Sequence, residues 1–158
     1  MPNQPTNSHP SQQPHHPAPI QIAQTVLNNL QHHMNTSPTT EVCGILLGKV
    51  EKDSLQIHSY RKLHNVAPNP RYHFQLDPYE WVQCCYQEPD LIGLFHSHPY
   101  SAPVPSQEDL TQLPNFADLI SIYVIGSPSQ AYTELHQHEQ GTQNKQHSSN
   151  QYKSNITS

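Results

Sequence analysis

The stretch "LIGLFHSHPYSAPVPSQEDL", Leu91 to Leu110, decides the fold of this chain. Its apolar start predicts a buried strand, its prolines a stiff loop, and "SQEDL" the first turn of a helix. Side chains two residues apart on a strand point to the same face, so His96 and His98 should project side by side. A loop that only reversed the chain would not need two imidazoles at its start. The pattern therefore indicates a functional site where a strand ends.

Strands and helices alternate along the rest of the chain. A helix from Pro78 to Gln87 should be capped by Asp77, with Trp81, Val82 and Cys85 facing the sheet. The remaining predicted elements are an amphipathic helix from Ile20 to Met34, the buried strand "VCGILLG" after Glu41, and the strands "SLQIHSY", "YHFQL", "DLISIYVIG" and "AYTELH". Interleaved strands and helices predict an α/β domain with a mixed β-sheet flanked by helices.

Both ends of the chain differ in composition from its middle. Residues 1–19 are rich in Pro, Gln and His, and residues 137–158 are almost entirely polar. Such segments bury too little apolar surface to offset the conformational entropy lost on ordering. We therefore predict two disordered tails around a single domain of residues 20–136.

Charge and hydropathy exclude several classes of protein. The formal net charge is −5 and no basic patch follows any element, so nucleic-acid binding is not expected. The chain has neither an apolar run long enough for a membrane span nor a secretory signal at its start. Its three cysteines are an odd number and two of them are adjacent, which makes a poor disulfide set. These features predict a cytoplasmic protein, and they specify no oligomeric state.

The two imidazoles are suited to binding a single cation. Zinc prefers imidazole nitrogen and carboxylate oxygen, and catalytic zinc takes three protein ligands with one position left for water. Asp109, one turn into the helix after the loop, is the candidate third ligand. However, Ser106 stands three residues before it, and Ser-x-x-Asp is also typical of a helix capping box. Asp109 can therefore be interpreted as a metal ligand or as part of a helix cap, and one carboxylate can serve both purposes.

Hydrolysis at such a site also needs a base close to the metal but not bound to it. That base takes a proton from water and returns it to the leaving amine. Glu41, an isolated acid directly before a buried strand, fits this role. The alternative interpretation is an ordinary surface charge at the start of a strand.

Taken together, "EVCGILLG", "HSHP" and "SQED", with ten residues between His98 and Asp109, resemble the JAMM metallopeptidases, or MPN-domain family. The resemblance covers Ile20 to His136, and "NVAPNPRYHFQLDP" is similar to the middle segment of that family. It implies a cytidine-deaminase-like JAMM/MPN fold of the compact prokaryotic type. Carried over by position, it implies zinc on His96, His98 and Asp109. Glu41 would then be the general base and acid, and Ser106 would steady the oxyanion.

The resemblance also implies a reaction and a partner. We expect zinc-dependent hydrolysis of a peptide or isopeptide bond after the C-terminal Gly-Gly of a ubiquitin-like or sulfur-carrier protein. Some members of the family have lost ligands and act as scaffolds, so a non-catalytic zinc-containing binding module is the alternative; the five intact positions favour activity. Nucleobase deamination is not favoured, because His-x-Glu and Pro-Cys-x-x-Cys are missing.

Overall fold

A computed structural model of the chain describes residues 19–52, 54–116 and 118–129, together with the backbone of 132–136. The predicted tails, 1–19 and 137–158, lie outside the described residues except for Pro19. The elements are β1 (Ile20–Ile22), α1 (Gln24–Thr36), β2 (Cys43–Glu51), β3 (Ser54–Leu63), α2 (Pro78–Gln87), β4 (Leu91–Ser97), α3 (Gln107–Gln112), a 3₁₀ helix (Leu113–Phe116), β5 (Ile122–Gly126) and β6 (Tyr132–His136).

One mixed sheet of six strands, in the order β1-β3-β2-β4-β5-β6, organises the fold. Strand β2 pairs antiparallel with both β3 and β4, whereas β4 pairs parallel with β5. The predicted α/β class with a mixed sheet and flanking helices is thereby confirmed. The central strands β2 and β4 are the two that lead into the candidate site. Within the described ranges, no helix is both long enough and apolar enough to cross a bilayer.

Two hydrophobic clusters contain the core of the described residues. The first joins Val26, Leu30 and Met34 of α1 to one set of strand residues. The second joins Cys84 of α2 and Phe74 to another set. The β2–β4 register shifts between Leu46 and Leu47, which indicates a β-bulge in this pair. Beyond this shift, residues of β4 alternate between the two clusters, and the ring of His96 stacks on Phe74 of the second one.

Two sequence predictions about secondary structure were wrong. The helix expected from Ile20 begins only at Gln24, because Ile20–Ile22 form β1 and pair parallel with β3. The expected strand "YHFQL" is a turn followed by irregular backbone, with a single isolated bridge between Asn65 and Leu76. Phe74 and Leu76 are buried as the alternation predicted, but within the described ranges this segment forms no strand ladder beyond that one bridge.

Helix α2 has the predicted start and a different buried face. The side chain of Asp77 accepts hydrogen bonds from the backbone N–H groups of Tyr79 and Glu80, as a capping residue does. Cys84 is fully buried, whereas Val82 is exposed, so the predicted inward position of Val82 was wrong. Apolar residues occur on nearly all sides of α2, so their pattern alone does not select a buried face. The orientation of the helix is set by its packing against the sheet and the 3₁₀ helix, where Trp81 packs edge-on against Phe116.

Candidate metal centre

Strand β4 delivers both histidines to one buried position. His96 pairs with Cys43 of β2 on one side and with Ile125 of β5 on the other. The strand ends at Ser97, but the backbone N–H of His98 still donates to the carbonyl of Gly126 at 2.8 Å. Both histidines are buried, and their Nε2 atoms lie 3.0 Å apart. The predicted side-by-side arrangement is therefore present.

Helix α3 brings Asp109 to the same point. Its Oδ1 lies 3.1 Å from His96 Nε2, and its Oδ2 lies 3.3 Å from His98 Nε2. The carboxylate is buried, as expected for a group committed to a site and not to solvent. The stiff loop predicted from Pro99, Pro103 and Pro105 spans this gap between strand and helix.

The spacing of these ligand atoms fits a small tetrahedral cation. Neighbouring ligands around zinc stand about 3.3 Å apart, given Zn–N and Zn–O bonds of about 2.0–2.1 Å. The two Nε2 atoms are 3.0 Å apart, and each lies within 3.3 Å of one oxygen of Asp109, Oδ1 for His96 and Oδ2 for His98. In addition, His98 Nδ1 lies 2.9 Å from the carbonyl of Ala102, so it must be the protonated nitrogen. In a neutral ring this leaves a lone pair on Nε2, the tautomer that binds a metal.

Glu41 stands beside this triad, at the start of β2. Its carboxylate and the two imidazoles offer ligand atoms that all lie within 4.8 Å of one another. Asp109 also contacts both rings, at 3.1 and 3.3 Å, so the two histidines have two carboxylates beside them. The backbone N–H of Glu41 donates to the carbonyl of Pro70 at 2.7 Å, which anchors the residue to the loop before α2.

Burial and mutual charge perturb all four groups. Burial raises the pKa of Glu41 to about 7, against the opposing effect of His98. Burial also lowers the pKa of His96, although Asp109 opposes this. Burial acts in the same direction on His98, but Asp109 and the Ala102 carbonyl outweigh it and its pKa is raised. Burial disfavours the charged form of Asp109, yet hydrogen bonds from both histidines hold its pKa well below the usual range. Burial and neighbouring charges thus move the pKa values of the two carboxyls, Glu41 and Asp109, in opposite directions.

Ser106 is the N-cap of α3. Its Oγ accepts from the backbone N–H of Asp109 at 3.1 Å and donates to Asp109 Oδ2 at 2.7 Å. Its own N–H donates to the same oxygen at 2.7 Å, which completes the capping box. The cap and the inward carboxylate therefore coexist: Oδ2 serves the cap and also lies near His98, while Oδ1 faces His96.

Two further side chains, which the sequence motifs give no role, fix the backbone at Glu41 and at its neighbour Val42. Asn65 uses its whole side-chain amide: Nδ2 donates to the carbonyls of Glu41 and His73, and Oδ1 accepts from the N–H groups of Ala67 and Gln75. The buried Ser97 hydroxyl, between the histidines, accepts from the N–H of Val42 at 3.0 Å. In a strand, Ser97 faces away from the two histidines, and its partner there is Val42, the residue directly before β2.

A pocket of about 180 Å³ opens at the triad. Glu41, His98 and Asp109 lie on its inner side, and Arg71 and Tyr100 are among the residues of its rim. The pocket is far smaller than a folded domain and takes only a short stretch of chain or a side chain. A protein substrate would therefore have to present a flexible segment.

Comparisons with known proteins agree with this geometry. Residues 23–139 match the family described as prokaryotic homologs of the JAB domain. A protein of Haloferax volcanii named desampylase is 33% identical over 110 residues, which is 66% of this chain and 74% of that protein. A Pyrococcus furiosus protein of the same name is 32% identical over 79 residues, covering 48% of this chain and about half (53%) of its own. The solution structure of a Desulfitobacterium hafniense protein superposes with a TM-score of 0.59 at 25% identity, covering 73% of this chain and 82% of that one.

Proposed function

Since this chain belongs to the family of prokaryotic homologs of the JAB domain, we propose that it is a zinc-dependent metallopeptidase acting on a peptide or isopeptide bond. The observation that carries the proposal is the convergence of His96, His98 and Asp109 within 3.3 Å, with a buried Glu41 at their side. Two relatives named desampylase support an enzyme that removes a conjugated protein. The proposed substrate is a ubiquitin-like or sulfur-carrier protein, cut after its C-terminal Gly-Gly.

His96, His98 and Asp109 would hold the zinc. When bound there, zinc supplies Lewis acidity that makes water more acidic and the scissile carbonyl more electrophilic. The Glu41 carboxylate takes the proton of the attacking water and later returns it to the leaving amine. The Ala102 carbonyl keeps His98 in the required tautomer throughout. Ser106 steadies the oxyanion by turning its hydroxyl away from Asp109 Oδ2, a rotation that leaves the backbone part of the cap intact.

The proposal extends to domain limits and compartment. We assign the activity to residues 20–136, which nearly coincide with the matched region 23–139, and treat 1–19 and 137–158 as polar tails. The three cysteines are all free thiols, in keeping with a reducing cytoplasm.

Replacement of Glu41 by Gln tests the proposal. The purified protein is incubated with a carrier-protein fusion through Gly-Gly, with and without a chelator, and the products are weighed by mass spectrometry. Parent protein should release carrier ending in Gly-Gly only when metal is present. The Glu41→Gln variant should lose at least about a hundredfold in rate, as expected for removal of a general base, while keeping its zinc. Glu51→Gln, the same charge change on the remote β2–β3 hairpin, is the matched control.

The same variant addresses the alternative of a non-catalytic zinc module. A structural zinc site is closed by four protein ligands, and Glu41 is close enough to be the fourth. Glu41→Gln would then lower the zinc content, and the parent protein would cleave nothing. Retained zinc together with lost turnover would favour the hydrolase.

A further inference from the structure

Arg71, on the rim of the pocket, lies against two aromatic rings. Its guanidinium carbon lies 4.4 Å from the ring centroid of Tyr100 and 5.5 Å from that of Tyr72. The two tyrosine rings are themselves only 6.3 Å apart, so the guanidinium lies against one side of this pair of rings. Tyr72 comes from the loop before α2, and Tyr100 follows the histidine pair. We call these three residues the arginine clamp.

The clamp presents a cation without a carboxylate partner among the described residues. Arg61 is paired with Glu88 at 2.7 Å, and the nearby Glu108 is paired with His73, whereas no acid lies within ion-pair distance of Arg71 in the described part of the chain. Stacking on aromatic rings engages the face of a guanidinium and leaves its in-plane N–H donors free. Those donors match the two oxygens of a carboxylate.

The charges around Arg71 bear on which substrate segments can approach the pocket. The pocket lining contains the acids Glu41, Glu108 and Asp109 against the single arginine, and the chain carries a formal net charge of −5. Arg71 offsets part of this negative charge for an acidic segment that approaches the pocket. Tyr72 and Tyr100 remain 56% and 49% exposed, so a segment of chain can pack along the clamp.

We propose that the arginine clamp binds a substrate carboxylate lying within a few residues of the scissile bond, so that this protein prefers acidic to neutral sequences there. The inference rests on the proposed hydrolase, because it concerns the substrate of the same pocket. The small volume of the pocket limits the carboxylate to the immediate neighbourhood of the cleaved bond. Two sources share this chemistry: the free α-carboxylate of a single leaving residue, and an acidic side chain before Gly-Gly.

A binding assay tests the clamp independently of turnover. The zinc-loaded, full-length Glu41→Gln protein is titrated against three fluorescein-labelled peptides by fluorescence anisotropy. The neutral probe is Ala-Ala-Gly-Gly-Ala amide. The second probe ends in a free carboxylate, and the third replaces the alanine before Gly-Gly by glutamate. At least one acidic probe should bind about tenfold more tightly than the neutral one, and the probe that does so identifies the source of the carboxylate.

Arg71→Gln in the same background should abolish the preference, while Lys62→Gln, which removes an exposed positive charge outside the pocket lining, should preserve it. Tyr100→Phe should keep the preference and Tyr100→Ala should weaken it, with zinc content measured in each. Equal binding of all three probes, or a preference that survives Arg71→Gln, would overturn the inference.

Cleavage of the same peptides by the parent protein separates this inference from the proposed function. Binding preference without any cleavage would refute the hydrolase and leave the clamp standing. Cleavage of all three peptides at equal rates, with equal binding, would refute the clamp and leave the hydrolase standing.

Discussion

Replacement of Asn65 by Leu should destabilise the protein by about 3 kcal/mol. The change keeps the size of the side chain and removes four hydrogen bonds, two to carbonyls and two from N–H groups. A net value of about 1 kcal/mol per bond would total about 4 kcal/mol. The carbonyl of His73 and the N–H of Gln75 belong to exposed residues and can bond to water instead, which lowers the total loss of stability. The carbonyl of Glu41, in contrast, belongs to a buried residue, so the loss of its hydrogen bond counts in full.

The measurement is urea unfolding of the metal-free protein followed by circular dichroism, so that zinc affinity does not enter the comparison. Asn69→Ala is the control, since this residue is in the same loop and its side chain makes no hydrogen bond within the described residues. It should change the free energy of unfolding by less than about 0.5 kcal/mol. A loss below about 1 kcal/mol for Asn65→Leu would show that the amide does not anchor the loop to Glu41.

The remaining predictions concern pH, metal and packing. Burial lowers the pKa of His33 to about 4, so the unfolded chain takes up its proton near pH 6.5 and the folded chain only near pH 4. Stability should be full above pH 6.5 and decline towards pH 4, by at most about 3 kcal/mol and by about 1–2 kcal/mol for this partly exposed ring; His33→Gln should flatten denaturant-derived stability over that range. Asp109→Asn should reduce bound zinc from about one per chain to near zero by elemental analysis, and unchanged zinc would contradict the ligand assignment. In Gly93→Ala, the added Cβ would stand 2.5 Å from the Ile122 side chain and 2.7 Å from its carbonyl oxygen. This clash between paired strands should cost about 2–3 kcal/mol, visible as a lower thermal midpoint, and an unchanged midpoint would mean that the two strands separate easily.

Local patterns were reliable where a few adjacent residues decide the structure. The cap of α2 depends on Asp77 and the two N–H groups that follow it, and α3 begins after Ser106 for the same reason. Both starts were predicted from sequence because the interacting groups lie within one helical turn of each other. The proximity of His96 to His98 is equally local, since it follows from the alternation of a strand.

Other features depend on partners distant in sequence. Ile20 continues the apolar stripe of the helix, but Ile20–Ile22 form a strand because they pair with β3, more than thirty residues away in sequence. The orientation of α2 likewise follows from its packing against the sheet and the 3₁₀ helix. Neither partner is visible in the local pattern of apolar residues, because propensity measures only the preference of an isolated segment.

The sequence by itself determined the α/β class, the start of α2 and most of the strands and helices, and it supplied the candidate metal ligands. Only the tertiary structure decided that Asp109 reaches the two histidines, that Asn65 ties the loop to Glu41, and that Arg71 lies against two tyrosine rings. The physical reason is distance along the chain. Local sequence sets backbone preference and hydrogen bonds within a turn, whereas the position of a carboxylate relative to an imidazole depends on how whole elements pack.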